Sequence, residues 1–281
     1  MNTNLKSERQ EVVVREILQK GSMSVPELAH LLEVSEITIR RDLEELDRIG
    51  VIDRVRGGAR RPNPRGPEPP AVQRQTVQLA EKQAIGQTAA ALIEDGEVIG
   101  ILAGSTPQEL VRNITRRTWG NLLIVTNGLM LVQELLGISG IQIVLIGGTV
   151  NSNELGTFGV LAVDMVKHMR LHKLFTGCRG IDPATGISND LIAEPEVALV
   201  RAFAQNSDQV IVIADHTKIG NTFLIPTLAI EAIDVLVTDT GTTGPILEKF
   251  RKKDVQVILA PVNRSEELTH LNTQDGVALK G

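Results

Sequence analysis

Along the first sixty positions, apolar residues recur with the spacing of short helices. Val13, Val14, Ile17 and Leu18 sit at helical intervals within residues 5–20, and Gly21 stops that segment. Ser24-Val25-Pro26-Glu27 reads as a capping box with proline in the first turn, so a short helix should run to Leu32 and bury Leu28, Leu31 and Ala29. Ser35 is a second N-cap, with Glu36 in the first turn and Gly50 as the closing residue. Ile39, Leu43 and Leu46 form the apolar stripe of that helix, while Thr38, Arg40 and Arg41 fall off it. Two short helices joined by a tight turn, the second opening with small polar residues and arginines, predict a helix-turn-helix. Residues 51–60 then alternate apolar and charged positions around Gly57-Gly58, the pattern of a small hairpin or wing.

The pattern then breaks. Residues 62–70 hold five of the chain's twelve prolines, a semi-rigid spacer. Beyond it, strand-like runs at 98–102, 122–126, 141–146, 173–176, 210–214, 235–238 and 255–259 alternate with helical segments at 81–93, 108–115, 129–136, 161–169 and 195–205. Such alternation predicts a mostly parallel, Rossmann-like sheet with helices on both faces. The expected division is therefore a winged helix-turn-helix over 1–61, a linker over 62–78, an α/β domain over 79–262 and a polar tail over 263–281.

Composition narrows the function classes. There is no Tyr and one Trp, so the core must be built from aliphatic residues. No run of 18 apolar residues and no basic-then-apolar leader is present, so neither a membrane span nor a secretory signal is expected. The single Cys178 suits a reducing compartment, and the expected location is cytoplasmic. The net charge is −5, yet Arg54, Arg56, Arg60, Arg61 and Arg65 lie in one stretch without an acid. Two readings fit that strip: a small DNA-binding surface on an acidic protein, or a solvated linker.

In an open parallel sheet, ligands bind beyond the carboxyl ends of the strands. The loops there offer Gly104-Ser105-Thr106, Thr126-Asn127, Gly147-Gly148, Gly177-Cys178-Arg179-Gly180-Ile181-Asp182 and Asp215-His216-Thr217-Lys218. Small hydroxyl residues, glycines and backbone N–H groups at a helix start make an anion cradle, and Arg179 and Lys218 add charge. Turn chemistry alone also places glycines at strand ends.

Ser35-Glu36-Ile37-Thr38-Ile39-Arg40-Arg41-Asp42-Leu43, followed by Arg54-Val55-Arg56-Gly57-Gly58-Ala59, resembles the DeoR-type family of bacterial repressors. The resemblance continues through the five strand-end loops and Ala214-Asp215-His216-Thr217-Lys218, covering nearly the whole chain before the tail. It implies a second domain similar to ribose-5-phosphate isomerase and glucosamine-6-phosphate deaminase, a phosphorylated sugar or related anion as effector, and oligomeric repressors of sugar catabolism. Three positions depart from the family pattern: Leu102 and Arg179 stand where acids are usual, and Asn151 where an arginine is common. Arg179 either contacts a second anionic group of the effector or pairs with Asp182 or Glu194.

The primary expectation is a ligand-responsive repressor, binding operator DNA as a dimer or tetramer and needing no cofactor or metal. Its DNA contacts would come from Ser35, Glu36, Thr38, Arg40, Arg41, Arg54, Arg56, Gly57 and Gly58. Its effector contacts would come from Gly104, Ser105, Thr106, Thr126, Asn127, Gly147, Gly148, Arg179, Gly180, Asp182, Glu194 and Lys218. The competing reading of Arg40 and Arg41 is a surface pair bonded to Glu36, Glu44 or Glu45. The competing function is a sugar-phosphate isomerase or deaminase with an appended DNA-binding domain, using Asp182, Asp190, Glu194 or Asp215 as base. His168 and His172, four apart on an expected helix, have a spacing that can hold metal, but no carboxylate or third histidine is evident nearby and helix-surface residues are the favoured reading.

Overall fold

The computed structural model describes residues 3–48, 52–60, 68–190, 193–242 and 244–262. The chain divides into two compact units, Met1–Val77 and Gln78–Gly281.

In the first unit, α1 (Thr3–Lys20) buries Val13 and Ile17 and ends at Gly21, whose left-handed backbone (φ 86°) lets its N–H reach the Ile17 carbonyl at 2.8 Å. After β1 (Ser22–Ser24) comes α2 (Val25–Leu31), started by the expected capping box: Ser24 Oγ accepts from the Glu27 N–H, and the Glu27 carboxylate accepts from the Ser24 N–H at 2.8 Å. Leu28 is fully buried, but Leu31 is exposed, contrary to expectation. The next helix, α3 (Glu36–Arg48), is capped by Ser35 Oγ, which accepts from the Thr38 N–H at 3.2 Å. It buries Ile39, Leu43 and Leu46 against α1 and α2. Gly50 lies outside the described residues.

The hairpin of β2 (Asp53–Val55) and β3 (Gly58–Arg60) joins β1 in a three-stranded sheet ordered β1-β3-β2. Its turn is Arg56-Gly57 rather than Gly57-Gly58: Gly57 takes the positive φ (84°), and Gly58 lies inside β3. A Cβ at Gly58 would stand 2.3 Å from the Met23 carbonyl oxygen, so that glycine serves strand packing. Residue 61 and residues 62–67 of the expected spacer lie outside the described residues. Within the rest of it a short helix, α4 (Ala71–Arg74), forms, with Arg74 paired to Glu68 at 2.9 Å.

The second unit runs α5 (Leu79–Ala90), β4 (Val98–Ile101), α6 (Ser105–Ile114), β5 (Leu122–Thr126), α7 (Leu129–Leu135) and β6 (Ile141–Leu145). A hairpin of β7 (Thr149–Asn151) and β8 (Gly156–Phe158) leads to α8 (Val160–Val166) and β9 (Leu171–Thr176). The chain continues through β10 (Gly180–Asp182), β11 (Gly186–Asn189), α9 (Glu194–Gln205), β12 (Ser207–Ile213) and β13 (Ile225–Leu228). It closes with β14 (Val235–Asp239), α10 (Gly244–Arg251) and β15 (Gln256–Ala260). The seven expected strands form one parallel sheet ordered β15-β14-β12-β9-β4-β5-β6.

Adjacent residues of the central strands enter opposite cores, as the pleat requires. Leu174, Val212 and Leu236 pack with Phe203 and Phe250 on one face, while Phe175, Ile211, Ile213 and Val237 pack with Ile85 and Leu110 on the other. On the latter face α5 and α6 touch backbone to backbone at Gly86, where an added Cβ would lie 2.6 Å from the Glu109 carbonyl carbon. Gly86→Ala is therefore expected to lower unfolding free energy by about 1–3 kcal/mol despite alanine's better helix propensity. Urea denaturation of the second unit measures this, and unchanged or increased stability would contradict the close packing.

Candidate functional site

From β4 the chain steps outward to β5 and β6, then returns beside β4 with β9 and proceeds the other way through β12, β14 and β15. The β4/β9 boundary is thus the topological switch point, where loops leave toward opposite faces and open a crevice. On one side lies the start of α6, capped by Gly104 without any side-chain hydrogen bond. The first intrahelical bond runs from the Gln108 N–H to the Gly104 carbonyl at 3.1 Å, leaving the N–H groups of Ser105 and Thr106 for another partner. Both residues are buried, and among the described residues neither hydroxyl has a hydrogen-bond partner. On the β9 side Gly177 lies against this helix start, where a Cβ would sit 3.6 Å from Pro107 Cδ.

Arg179 follows on the β9 side. Its side chain is buried, pairs with Asp190 at 2.6 Å and stacks on Phe223 with the guanidinium carbon 4.5 Å from the ring centre. Asp190 is an acid outside the pair that the sequence offered. Asp182 instead accepts from the Ala184 N–H at 2.8 Å in the β10–β11 turn, and the Glu194 side chain lies outside the described residues. Gly180 admits Asn221 and Phe223, since a Cβ there would meet the Asn221 carbonyl oxygen at 2.6 Å.

Beyond β12, Asp215 caps a short 3-10 turn (His216–Lys218), accepting from the Thr217 N–H at 3.0 Å and from its hydroxyl. Lys218 is half-buried there. His216 Nδ1 lies 2.9 Å from Asp239 Oδ2, and Asp239 also accepts the His216 and Gly241 N–H groups at 2.7 and 2.8 Å. That hydrogen bond to Asp239 raises the His216 pKa against the opposing effect of burial, helped by Asp239, Asp215 and Glu81 charges. Burial works to raise the Asp239 carboxyl, but the hydrogen bonds from His216 and Gly241 outweigh it and hold it below its ordinary value.

The β5 and β6 loops frame this crevice through bonds within the protein. Asn127 Oδ1 accepts from the Ala103 N–H at 2.8 Å, and its Nδ2 donates to the Thr157 carbonyl at 3.1 Å, tying three loops together. Thr126 Oγ1 accepts from the Gly128 N–H at 3.0 Å. Gly148 fits against the Phe158 carbonyl oxygen, 2.5 Å from where its Cβ would be, and the Gly147 N–H meets Met165 Sδ at 3.3 Å. Of the residues that depart from the family pattern, Leu102 packs in the core and Asn151 accepts from the Asn153 N–H in the β7–β8 turn at 2.9 Å.

In the first unit, Glu36 pairs with Arg40 at 3.0 Å, and Arg54 pairs with Glu44 at 3.2 Å while its N–H donates to Asp47. Arg40 thus follows the surface-pair reading; Arg41 does not. Among the described residues Arg41 and Arg56 pair with no carboxylate, and both are exposed. Ser35 and Thr38 share a hydroxyl–hydroxyl bond of 2.8 Å at the start of α3. Beside them Ile37 is 66% exposed, an apolar residue on the polar face that the stripe analysis passed over. Asp42 is buried and takes a two-pronged bond from Arg9 at 2.6 and 3.1 Å, a tie to α1 that no local pattern announces.

His168 and His172 are not on one helix: His168 follows α8, and His172 lies in β9 with Nδ1 accepting from the Val98 N–H at 2.9 Å. Among the described residues no group of three potential ligands could hold a metal ion, and no helix is long and apolar enough to cross a membrane.

Residues 9–65 match the family described as the DeoR-like helix-turn-helix domain, and residues 77–240 match the DeoR C terminal sensor domain. The chain is 32% identical to the transcriptional repressor AccR of Agrobacterium fabrum over 90% of this chain and 98% of that protein. It is 30% identical to the glycerol-3-phosphate regulon repressor of Escherichia coli over the same shares, 90% and 98%. A putative aga operon transcriptional repressor of Escherichia coli O157:H7 is 29% identical, over 90% of this chain and 93% of that protein. Among solved structures, ribose 5 phosphate isomerase A from Neisseria gonorrhoeae superposes with a TM-score of 0.37 and 16% identity, over 49% of this chain and 52% of that one.

The His216–Asp239 pair sets a pH window. The raised His216 contributes stability below the ordinary imidazole range and loses it as pH rises through the raised value; the lowered Asp239 contributes above the ordinary carboxylate range and loses it as pH falls through the lowered value. Both contributions are present only between the two ranges. Asp239→Asn should bring the His216 titration down, as followed by histidine ring proton resonances. An unmoved titration would remove the pair as its cause.

Proposed function

The chain belongs to the DeoR family of transcription regulators, and from that premise we propose that it is a repressor of carbohydrate-catabolism genes whose grip on operator DNA is set by a phosphorylated sugar or related anionic metabolite. The observation that carries the effector half of this reading is the start of α6 at the switch point. There the Ser105 and Thr106 hydroxyls, and their N–H groups at the positive end of the helix, have no partner among the described residues. Lys218 and Arg179 bring positively charged side chains to the neighbouring strand ends.

The site is read as a sensor rather than a centre of turnover. Proton transfer next to a carbonyl needs a carboxylate free to move a proton. Of the four acids offered as base, Asp182 and Asp215 cap turns and Asp190 holds Arg179, while the Glu194 side chain lies outside the described residues; Leu102, where the family pattern has an acid, is a core residue. A sensor needs only to bind one state of the protein better than another, and operator affinity then changes by the differential binding energy. Release of DNA by the effector is the direction assigned.

On the DNA side, α3 is assigned to the major groove with Ser35, Glu36, Thr38, Arg40 and Arg41, and the wing to the backbone with Arg54, Arg56 and Gly57. Gly58 supports that wing from within β3. Ile37 neighbours Arg41 one turn on and offers an apolar contact for a thymine methyl group. One such helix reads one half-site, so the working species is an even-numbered oligomer, dimer or tetramer.

Arg41→Ala is expected to weaken binding to a duplex selected from a random pool by about 1–3 kcal/mol. Fluorescence anisotropy across a salt series measures it. A variant that holds the same duplex as tightly, with the same salt dependence, would take Arg41 out of the interface.

A further inference from the structure

The helix α8 is apolar on its outside. Ala162 and Val166 point into the core, while Val160 and Leu161 are 84% and 73% exposed and Met165 is also open to solvent. A surface helix normally shows water its polar residues. Val150 of β7, exposed at 60%, and Leu145 at the end of β6 extend the same surface. These side chains are neighbours: Met165 Sδ touches the Gly147 N–H just after Leu145, and Ala162 packs on Gly148 just before β7. Behind them β6 is the terminal strand of the seven-stranded sheet, with Ile143 and Val144 only half-buried. Scattered single apolar residues need no explanation, but a contiguous patch on a sheet edge does.

We propose that the face formed by α8, β7 and the end of β6 is where a second copy of this chain docks. Three observations single out that occupant. Val160, Leu161 and Val150 are each more than half exposed, and with Leu145 and Met165 they offer an apolar centre of the kind found within one partner's side of a standard interface, about 800 Å². The helix itself carries both signs, with Asp164 beside Lys167. A two-fold contact presses a patch against itself, and a helix of mixed sign meets its own copy without net repulsion. The chain's own residues 263–281 follow β15, the opposite edge strand of the sheet, and carry Glu266, Glu267, His270, Asp275 and Lys280 among few apolar residues. The proposal rests on the repressor reading only in that a palindromic operator calls for two recognition helices.

Sedimentation equilibrium of the full chain tests it, with Val160→Glu and Leu161→Glu as variants whose side chains lie in solvent in the single chain. Leu136→Glu, at the exposed end of α7 outside the patch, is the control. The expected result is a wild type and control at twice the chain mass or a higher even multiple. Both patch variants should sediment at half the wild-type mass, with unchanged circular dichroism. A monomeric wild type at tens of micromolar overturns the proposal, and so do patch variants that keep the wild-type mass. Either failure leaves the repressor reading standing as long as the chain still binds its selected duplex, so the two claims fall separately.

Discussion

The loops after β4 and β9 leave the sheet toward opposite faces. Crossovers between parallel strands must be right-handed, and the strand order runs in opposite directions from this one boundary. No side chain is needed to open the crevice; the handedness of the connections does it. What the side chains add is chemistry. A helix start with two hydroxyls that have no partner among the described residues borders one wall, and Arg179, held by Asp190 and Phe223, stands on the other. The frame around them is rigid because Asn127 joins the β4, β5 and β8 loops with its own amide.

This division of labour explains how much was legible beforehand. The seven sheet strands are buried on both faces and read as continuous aliphatic runs, so their positions were plain from sequence, and their alternation with helices implied a parallel sheet. The five short strands, β7, β8, β10, β11 and β13, carry no such run and pair antiparallel across loops, so nothing local marked them. In the first unit the caps at Ser24 and Ser35 were visible because capping chemistry is local. Leu31 and the turn at Arg56-Gly57 were not, since each depends on what packs against β1 and α2.

The loops were correctly located as a set but not sorted. Sequence alone gives Asn127 and Ser105 the same description, a polar residue in a strand-end loop. Only the fold distinguishes an amide bonded on both sides from a hydroxyl with no partner among the described residues. Likewise Asp190, which pairs with Arg179, was not among the acids that sequence distance suggested; it comes within reach where β10 and β11 fold back as a hairpin. The His216–Asp239 contact joins the ends of β12 and β14, neighbours in the sheet but separated in sequence by β13.

The central claim is that the switch-point crevice takes a phosphorylated anion at the start of α6. Thermal denaturation of the full chain against a panel of sugar phosphates and phosphorylated acids, repeated with Ser105→Asp, tests it most directly. A ligand that binds the folded sensor raises its melting temperature, by about 2–4 °C for each kcal/mol of binding linkage. The account predicts a dose-dependent rise with one member of the panel and its loss in Ser105→Asp, where a fixed carboxylate occupies the anion's place. A panel without effect, or a rise that survives Ser105→Asp, would contradict it.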